Sequence, residues 1–208
     1  NAEMTNALTV AMIDNTDTIS AAAYTGAFTA TILDTNLTTA DTITGGTGSS
    51  DTLTVTFGNT ALTATDMTNV SAIETIKSAS NATGGLTLAD ANIVAAGSMT
   101  INATKNTSAA FTLDATAELD GTITYVGGAG VDTVTGGAKN DTIDGKAGAD
   151  VITGGKGVDS LTGGNGADQF KFTDANQSNT SGSDTIVDFV TGTDKIVITL
   201  DNSTKTTA

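Results

Sequence analysis

The chain has 208 residues, of which 20 are Asp, 3 are Glu and 8 are Lys, and its formal net charge is -15 at pH 7. Cys, His and Arg are absent, which excludes disulfides, thiolate metal sites, histidine-based zinc sites and histidine general bases. The acidic charge argues against nucleic acid or an anionic membrane surface as a partner. We therefore expect a protein that is not an enzyme, and the sequence contains no Gly-x-Ser-x-Gly nucleophile motif.

The N-terminal residues carry no targeting signal that we recognise. No stretch is apolar over the length needed to cross a bilayer, and residues 1–10 lack a basic segment followed by a hydrophobic run. We expect neither membrane insertion nor a classical export signal.

Thr is the commonest residue, and Pro and Trp are absent. This composition favours short strands separated by turns, so we expect an all-β fold.

The strands are clearest in residues 86–126, where Thr stands between two apolar residues in four successive segments. Because side chains alternate across a strand, we expect the apolar pairs to face inward and the intervening Thr residues to face outward. The intervening residues are Thr87, Thr100, Thr112 and Thr124, and the pairs are Leu86 and Leu88, Met99 and Ile101, Phe111 and Leu113, and Ile123 and Tyr125. The pairs recur every 12 to 13 residues, which indicates coils stacked into a β-solenoid.

Earlier segments have the same character with looser spacing, and they predict further rungs of the solenoid. These segments are ALTVAMI at 7–13, DTITGG at 41–46, DTLTVTF at 51–57 and AIETIKSA at 72–79. Their register is less regular, so a sandwich-like arrangement of residues 1–126 is a second interpretation. We divide the chain into a Thr-rich region at 1–126, a repeat region at 127–171 and a C-terminal segment at 172–208.

Residues 127–171 contain a nine-residue unit five times, and each unit has glycines, an Asp and one apolar residue at fixed positions. The apolar residues are Val134, Ile143, Ile152, Leu161 and Phe170. One inward residue in nine buries too little apolar area to hold a stack of short strands together. Another source of stability is therefore needed in this region.

The other residues of the unit supply that source. The glycines allow a tight turn with converging carbonyl oxygens, and an Asp follows at a fixed point. Carbonyl and carboxylate oxygens are Ca²⁺ ligands, so the repeat predicts binding of several calcium ions. The expected ligands are the carboxylates of Asp132, Asp141, Asp150, Asp159 and Asp168 and the backbone carbonyls of Gly127, Gly136, Gly145, Gly154 and Gly163. Because two units make one coil, we expect the ions between Asp132 and Asp150, Asp141 and Asp159, and Asp150 and Asp168.

Two units depart from this pattern. Lys139 replaces the fourth-position Gly of the second unit, and Lys146 replaces the second-position Gly of the third unit. A left-handed backbone costs a residue other than Gly about 1 to 2 kcal/mol, and an ammonium group near an ion opposes cation binding. We therefore expect stronger binding around Asp132, Asp159 and Asp168 than in the second and third turns.

The five units resemble the RTX calcium-binding nonapeptide, which has the form Gly-Gly-x-Gly-x-Asp-apolar. The resemblance implies a parallel β-roll that binds several Ca²⁺ ions. It also implies export of the unfolded chain from a Gram-negative bacterium by type I secretion, and folding outside the cell. Extracellular modules bind calcium at about 10⁻⁴ to 10⁻³ M, well above cytosolic levels.

Two further segments resemble parts of RTX proteins. Residues 45–54 form an RTX-like turn with one extra residue, which makes Asp51 another candidate ligand. Residues 172–208 resemble the segment that often closes an RTX roll, and its apolar residues would cover the open end of the stack. These are Phe172, Ile186, Phe189, Ile196 and Ile198. The candidate ligands for a last calcium ion in this segment, with a plain polar surface as the alternative, are Asp184, Asp188 and Asp194.

The whole sequence, with few aromatic residues and a solenoid that continues into RTX turns, is most similar to the lattice-forming part of a Caulobacter-type surface-layer protein. This resemblance implies an extracellular structural protein of the cell surface that folds on Ca²⁺ and self-assembles into a layer or filament. A cell-surface polysaccharide is then the candidate anchor. The alternative is a noncatalytic RTX module of a secreted adhesin or of a type I-secreted enzyme.

Overall fold

The structure is a computed structural model, and it describes residues 8–11, 16–48, 50–93, 97–173 and 182–199. Regular structure in this part of the chain is almost entirely strand, with two single-turn 3₁₀ helices at Asp34–Asn36 and Asp90–Asn92. Within the same ranges, no helix has the length and apolar character to cross a membrane. The all-β prediction is therefore confirmed.

The strands are short, because Thr and apolar residues alternate for only a few positions before a turn rich in Gly, Asn or Asp. In chain order the described strands are β1 (Leu8–Ala11), β2 (Thr18–Ser20), β3 (Phe28–Leu33), β4 (Thr42–Thr44), β5 (Thr52–Thr56), β6 (Ala61–Leu62), β7 (Val70–Ser71), β8 (Thr75–Ser78), β9 (Gly84–Thr87), β10 (Ser98–Asn102), β11 (Phe111–Asp114), β12 (Thr122–Val126), β13 (Thr133–Thr135), β14 (Thr142–Asp144), β15 (Val151–Thr153), β16 (Ser160–Thr162), β17 (Gln169–Phe172), β18 (Thr185–Ile186) and β19 (Lys195–Ile198).

These strands form three parallel sheets. Sheet 1 has the order β1-β3-β5-β8-β10-β12-β14-β16-β18, sheet 2 has the order β6-β9-β11-β13-β15-β17-β19, and sheet 3 has the order β2-β4-β7. The chain leaves sheet 1, forms a strand on the opposite side and returns, coil after coil, which is the predicted solenoid. Parallel pairing of β3, β5 and β8 favours this solenoid over the sandwich-like alternative, because sandwiches pair their strands antiparallel.

The core is one cluster of buried apolar side chains contributed by inward positions of all three sheets. Every inward residue predicted for 86–126 is buried there, and the intervening Thr side chains are partly or fully exposed. The interval of 12 to 13 residues is half a coil, because β9 and β11 lie in sheet 2 whereas β10 and β12 lie in sheet 1. A full coil takes two of these intervals, as between the register partners Ser98 and Thr122.

Aromatic packing fixes the register of sheet 2. Aligning the two apolar pairs would place Phe111 opposite Leu86. In the structure Leu113 is opposite Leu86 and Phe111 is opposite Gly84, a shift of two positions. A Cβ on Gly84 would lie 2.6 Å from the ring of Phe57. The rings of Phe57 and Phe111 meet edge to face with centroids 5.5 Å apart, and the Phe111 ring lies 6.1 Å from that of Tyr125. Gly84 thus leaves room for this group of packed aromatic rings next to the repeats.

In the repeat region two units make one coil, since the register partners Asp132 and Asp150 are 18 residues apart. The inward residue of each unit is almost fully buried. These residues are Val134, Ile143, Ile152, Leu161 and Phe170. Sheets 1 and 2 continue without a break from the Thr-rich region through the repeats to β18 and β19. The division of the chain at residues 126 and 171 stays a prediction about sequence segments.

The C-terminal segment covers the end of the stack less completely than predicted. Phe172 and Ile186 pack against the core, and the ring of Phe189 lies 6.3 Å from that of Phe170. Ile196 and Ile198, however, are 50% and 65% exposed. The reason is that β19 is the last strand of sheet 2, so no later coil in the described residues packs on these side chains.

Candidate metal sites in the glycine turns

Each aspartate of the repeat lies directly before a strand and is buried. Its Oδ1 accepts a hydrogen bond from the backbone N–H at the same register position of the preceding coil. The N–H of Asp132 donates to Asp150 at 2.7 Å, that of Asp150 donates to Asp168 at 2.9 Å, and that of Asp168 donates to Asp194 at 3.1 Å. We call Asp132, Asp150, Asp168 and Asp194 row 1.

A second row runs along the other sheet. The N–H of Asp141 donates to Oδ1 of Asp159 at 2.8 Å, and the N–H of Asp159 donates to Oδ1 of Asp184 at 2.9 Å. We call Asp141, Asp159 and Asp184 row 2. The structure brings together, one coil apart, the three aspartate pairs expected from the sequence.

Each carboxylate folds back over its own glycine turn. A Cβ on Gly145, Gly154 or Gly163 would collide with Oδ2 of the Asp five residues later. The carbonyl oxygen of Gly163 also lies against Gly145, and that of Gly154 lies against Gly136. Carboxylate and carbonyl oxygens therefore meet where the first Gly of the unit has no side chain.

The five turns fall into two classes that differ in their second residue. In the first class, the second Gly donates its N–H to the Asp of the same turn: Gly128 to Asp132 at 3.3 Å and Gly137 to Asp141 at 2.7 Å. In the second class, the second residue has a left-handed backbone. The φ values are 72° at Lys146, 100° at Gly155 and 96° at Gly164. The third, fourth and fifth turns of the repeat belong to this second class.

In the second class one oxygen of each carboxylate is left without a hydrogen-bond partner. Oδ2 of Asp150, Asp159 and Asp168 is buried and has no hydrogen-bond partner within the described part of the chain. The N–H groups that would occupy these oxygens point elsewhere, since Lys146 donates to Asp144 at 3.1 Å and Gly164 donates to Asp188 at 2.7 Å. A buried anionic oxygen without a partner is costly, so each of these three positions fits a cation.

The burial and crowding of these carboxylates also raise the pKa values of the repeat aspartates. Burial is the largest cause, and together with the charges of neighbouring carboxylates it raises the pKa of Asp150 and Asp159 to about 7. Burial likewise raises the pKa of Asp141 to about 6 and raises the pKa of Asp132 and Asp168. The turns therefore concentrate negative charge in a poorly solvated place, which a divalent cation would compensate.

The two lysines of the repeat do not prevent the turns from forming. Lys146 adopts the left-handed conformation that glycines adopt in the two following turns, and its ammonium group lies 2.7 Å from the Asp144 carboxylate. Lys139 is exposed to solvent. The third turn therefore has the same unpartnered Asp oxygen as the fourth and fifth turns, although the Lys substitution predicted a weaker site there.

Asp188 and Asp194, two further candidate ligands, have both carboxylate oxygens occupied by backbone N–H groups. Asp188 accepts from Gly163 at 2.9 Å and from Gly164 at 2.7 Å, and Asp194 accepts from Asp168 and from Val190, the latter at 2.7 Å. They close the last glycine turn from the C-terminal side. Asp184 continues row 2 as described above.

Asp51 has the same arrangement as the first class of turns. Its Oδ1 accepts from the N–H of Phe28 at 2.8 Å, and its Oδ2 accepts from the N–H of Gly46 at 2.6 Å. Its own N–H donates to Glu74 at 2.8 Å, which extends an acidic row into the Thr-rich region.

Sequence reasoning missed these acidic rows outside the repeat. The N–H of Asp17 donates to Asp41 at 2.8 Å in the same manner. Burial acts to raise the pKa of Asp41, but hydrogen bonds from Asp17 and Thr38 lower it below its ordinary value. The protein itself therefore stabilises the ionised carboxylate of Asp41. A short sequence pattern marks these rows: an acidic residue, then Thr, then an apolar residue. It occurs at Asp17, Asp41, Asp51, Glu74, Asp132, Asp141 and Asp184.

The described residues hold no cluster of three or more acidic side chains suited to a metal ion. Oxygen ligands at a turn would therefore combine carboxylates with backbone carbonyls, which is the ligand type that Ca²⁺ accepts.

Comparison with known proteins identifies the repeats. Residues 126–161 and 135–170 match the family model for the RTX calcium-binding nonapeptide repeat, which contains four copies of the unit. Neither the curated proteins nor the solved structures that were searched gave a match. The chain therefore carries RTX calcium-binding repeats in a parallel β-roll, and repeats of this family bind Ca²⁺.

Proposed function

We propose that this chain is an extracellular calcium-binding structural protein that folds on Ca²⁺ and self-assembles into a surface layer or filament. The observation that carries the proposal is the set of buried, unpartnered carboxylate oxygens at Asp150, Asp159 and Asp168, each in a glycine turn bordered by carbonyl oxygens. Hard oxygen ligands in a flexible turn suit Ca²⁺ better than Mg²⁺, which demands a smaller octahedral shell.

The proposed ions are held by aspartates one coil apart. The expected ligands are the carboxylates of Asp132, Asp141, Asp150, Asp159 and Asp168 and the carbonyls of Gly127, Gly136, Gly145, Gly154 and Gly163. Asp51 and Asp188 are weaker candidates, because they lie outside the five repeat turns and backbone N–H groups bond both of their oxygens. Both oxygens of Asp132 and Asp141 also accept backbone N–H groups, so an ion there would add to bonds that the protein already makes. Asp184 is a further candidate at the end of row 2.

Calcium binding then supplies folding free energy to the repeat region. The five inward residues of the repeat bury little apolar area, and the chain has a net charge of -15, so self-repulsion opposes the compact state without cations. A site that exists only in the folded state makes ion binding part of the stability of the fold. The need for calcium at about 10⁻⁴ to 10⁻³ M supports folding outside the cell after type I secretion.

Self-assembly is supported by apolar side chains at the C-terminal end of the solenoid. Val187, Phe189, Val190, Ile196 and Ile198 are each at least 40% exposed. A second copy of the chain stacked on this end would bury them, and calcium would reduce the repulsion between two acidic subunits. A cell-surface polysaccharide is the proposed anchor of such a layer.

The experiment is a calcium titration of the chelated full chain, followed by far-UV circular dichroism and electron microscopy on the same samples. We expect strand signal to increase with Ca²⁺, with sheets or filaments at millimolar calcium, and little change with Mg²⁺ at equal ionic strength. An unchanged dichroism spectrum would contradict calcium-dependent folding. Folding into dispersed monomers would contradict self-assembly and favour a noncatalytic module of an adhesin or of a secreted enzyme.

A pair of variants separates site binding from general charge effects. Asp159→Asn keeps the Oδ1 acceptor but removes the charge, and we expect it to shift the calcium midpoint at least about ten-fold upward. Asp66→Asn removes the same charge from an exposed turn, where Asp66 accepts from the N–H and the hydroxyl of Thr63. The midpoint of this control should stay within about two-fold of the unchanged chain. Equal midpoints for both variants would contradict the site assignment.

A further inference from the structure

Two turns that precede the repeats share one design. In each, a buried Ala accepts a hydrogen bond from the N–H of a polar residue three positions later: Asn106 bonds Ala103 at 2.9 Å, and Glu118 bonds Ala115 at 2.9 Å. Both polar side chains are 0% exposed. The carbonyl oxygens of Asn106 and Glu118 lie against the second Gly of the first and second glycine turns. Each turn therefore lies one coil before a repeat turn.

Glu118 packs directly on the turn at residues 136–141. Its carbonyl oxygen accepts a hydrogen bond from the N–H of Ala138 at 2.9 Å, and a Cβ on Gly137 would lie 3.3 Å from the Cβ of Glu118. The N–H of Gly137 donates to Oδ2 of Asp141 at 2.7 Å. Asp141 is thus bonded to the same glycine on which Glu118 packs. After burial, the negative charge of Glu118 is a further cause that raises the pKa of Asp141, so the two carboxylates interact.

The protein satisfies one oxygen of Glu118 and leaves the other without a partner. Oε1 accepts hydrogen bonds from the N–H of Asp120 at 3.0 Å and from the N–H of Gly121 at 2.9 Å. Oε2 is buried and has no hydrogen-bond partner in the described ranges. A fully buried carboxylate with one unpartnered oxygen, beside a second buried carboxylate, requires a positive group that the described side chains do not supply.

We propose that Glu118 and Asp141 bind a divalent cation together, so that row 2 of ions begins one coil before the glycine-rich repeats. This inference rests on the proposed calcium binding of the repeats. The unpartnered Oε2 of Glu118 would be the first ligand, and the Asp141 carboxylate, which also accepts the N–H groups of Ile123 and Gly137, would be the second. Carboxylate oxygens of this kind suit Ca²⁺. The site would join the Thr-rich coils to the calcium-dependent coils, because its two carboxylates come from adjacent coils.

Asn106 has the matching position in row 1. Its Nδ2 donates to the carbonyl oxygen of Ala82 at 2.9 Å, and its Oδ1 is buried with no partner in the described chain. Its carbonyl oxygen accepts from the N–H of Ala129 at 2.8 Å, within the turn that ends at Asp132. An amide oxygen is a neutral calcium ligand, so this position is a weaker version of the Glu118 site.

The test counts bound calcium per chain by equilibrium dialysis of the full chain and of Glu118→Gln at neutral pH. Gln keeps an acceptor for the N–H groups of Asp120 and Gly121 but removes the charge. We expect one calcium fewer per chain, or one site weakened at least about ten-fold. Asp66→Asn is the control, because it removes one carboxylate charge from a solvent-exposed turn that contains no candidate ligand. Its calcium count should not change.

An unchanged count and affinity in Glu118→Gln would overturn this inference and leave the repeat sites intact. No calcium binding by the unchanged chain would overturn the proposed function as well, so the two failures are distinguishable. Circular dichroism on the same samples reports folding. If Glu118→Gln does not fold in calcium, the variant Asn106→Asp provides the test instead. It places a carboxylate at the row 1 position that corresponds to Glu118, and we expect it to raise the calcium affinity of one site at least about ten-fold. Unchanged affinity in Asn106→Asp would then overturn the inference.

Discussion

The aspartate before each strand of the repeat serves the fold and the candidate site with different oxygens. Oδ1 of Asp150 accepts the N–H of Asp132, which fixes the register between two coils, whereas Oδ2 turns over the glycines of its own turn. A change to Asn should preserve the first role and weaken the second. A change to Ala should remove both, and leave a buried N–H without its acceptor. The residue type is therefore specified by both register and charge.

Lys146 allows a test of the turn conformation at a single residue. Because its φ is 72°, we expect Lys146→Gly to stabilise the calcium-bound protein by about 1 kcal/mol, despite losing a surface ion pair with Asp144. Lys139→Gly is the control, since Lys139 is not among the residues with positive φ and Gly should cost about 0.5 to 1 kcal/mol there. Urea unfolding measures both free energies. A loss of stability in Lys146→Gly would contradict the assigned conformation.

The backbone of each glycine turn lies very close to the backbone of the glycine turn one coil earlier. A Cβ on Gly166 would overlap the carbonyl oxygen of Gly148, and a Cβ on Gly148 would overlap that of Gly130. The backbones of successive turns therefore stack without side chains between them. This close approach is what positions carbonyl oxygens next to the aspartates of each row.

Gly166→Ala should disturb this stacking more than backbone strain alone explains. Gly192 is the matched position, because its φ of 89° is also positive but a Cβ there would meet no atom within 4 Å. We expect Gly192→Ala to cost about 1 to 2 kcal/mol and Gly166→Ala to cost more and to weaken calcium binding. Urea unfolding in calcium compares them. Equal costs would show that close stacking of the turns contributes little.

The elements were predictable from local pattern, and the contacts between coils were not. Alternation around Thr87 and Thr100 predicted the inward residues correctly, because period two is a local property of a strand. The register of Phe111 with Gly84 depends on the ring of Phe57, which is far away in sequence. Likewise, the buried and unpartnered state of Glu118 arises only when its turn packs on a repeat turn. Sequence pattern therefore found the repeat aspartates but missed the glutamate beside them.

For the whole molecule, the balance between charge and burial predicts how stability depends on pH. Burial and neighbouring carboxylates raise the pKa of Asp150 and Asp159 to about 7 in the folded chain without metal, above the ordinary Asp value of 3.8. The folded state then holds protons that the unfolded chain has released, and this contribution to stability is lost as the pH rises toward 7. Without calcium, the fold should be favoured by mild acid.

In chelator, lowering the pH from about 8 to about 5 should therefore restore part of the strand signal in far-UV circular dichroism. In saturating calcium the trend should reverse, because protons compete with the ion for the same carboxylates. The double variant Asp150→Asn and Asp159→Asn should flatten the pH dependence in chelator. The same pH dependence with calcium and with chelator would contradict this account.

Calcium ions should occupy the second class of turns, next to the unpartnered aspartate oxygens. A crystal structure grown in millimolar calcium, with anomalous scattering used to locate the ions, would show them. We expect an ion at about 2.3 to 2.6 Å from Oδ2 of Asp150, Asp159 and Asp168, with carbonyl oxygens completing the shell. Turns free of ions in that crystal, with these oxygens bonded to protein or water instead, would contradict the claim.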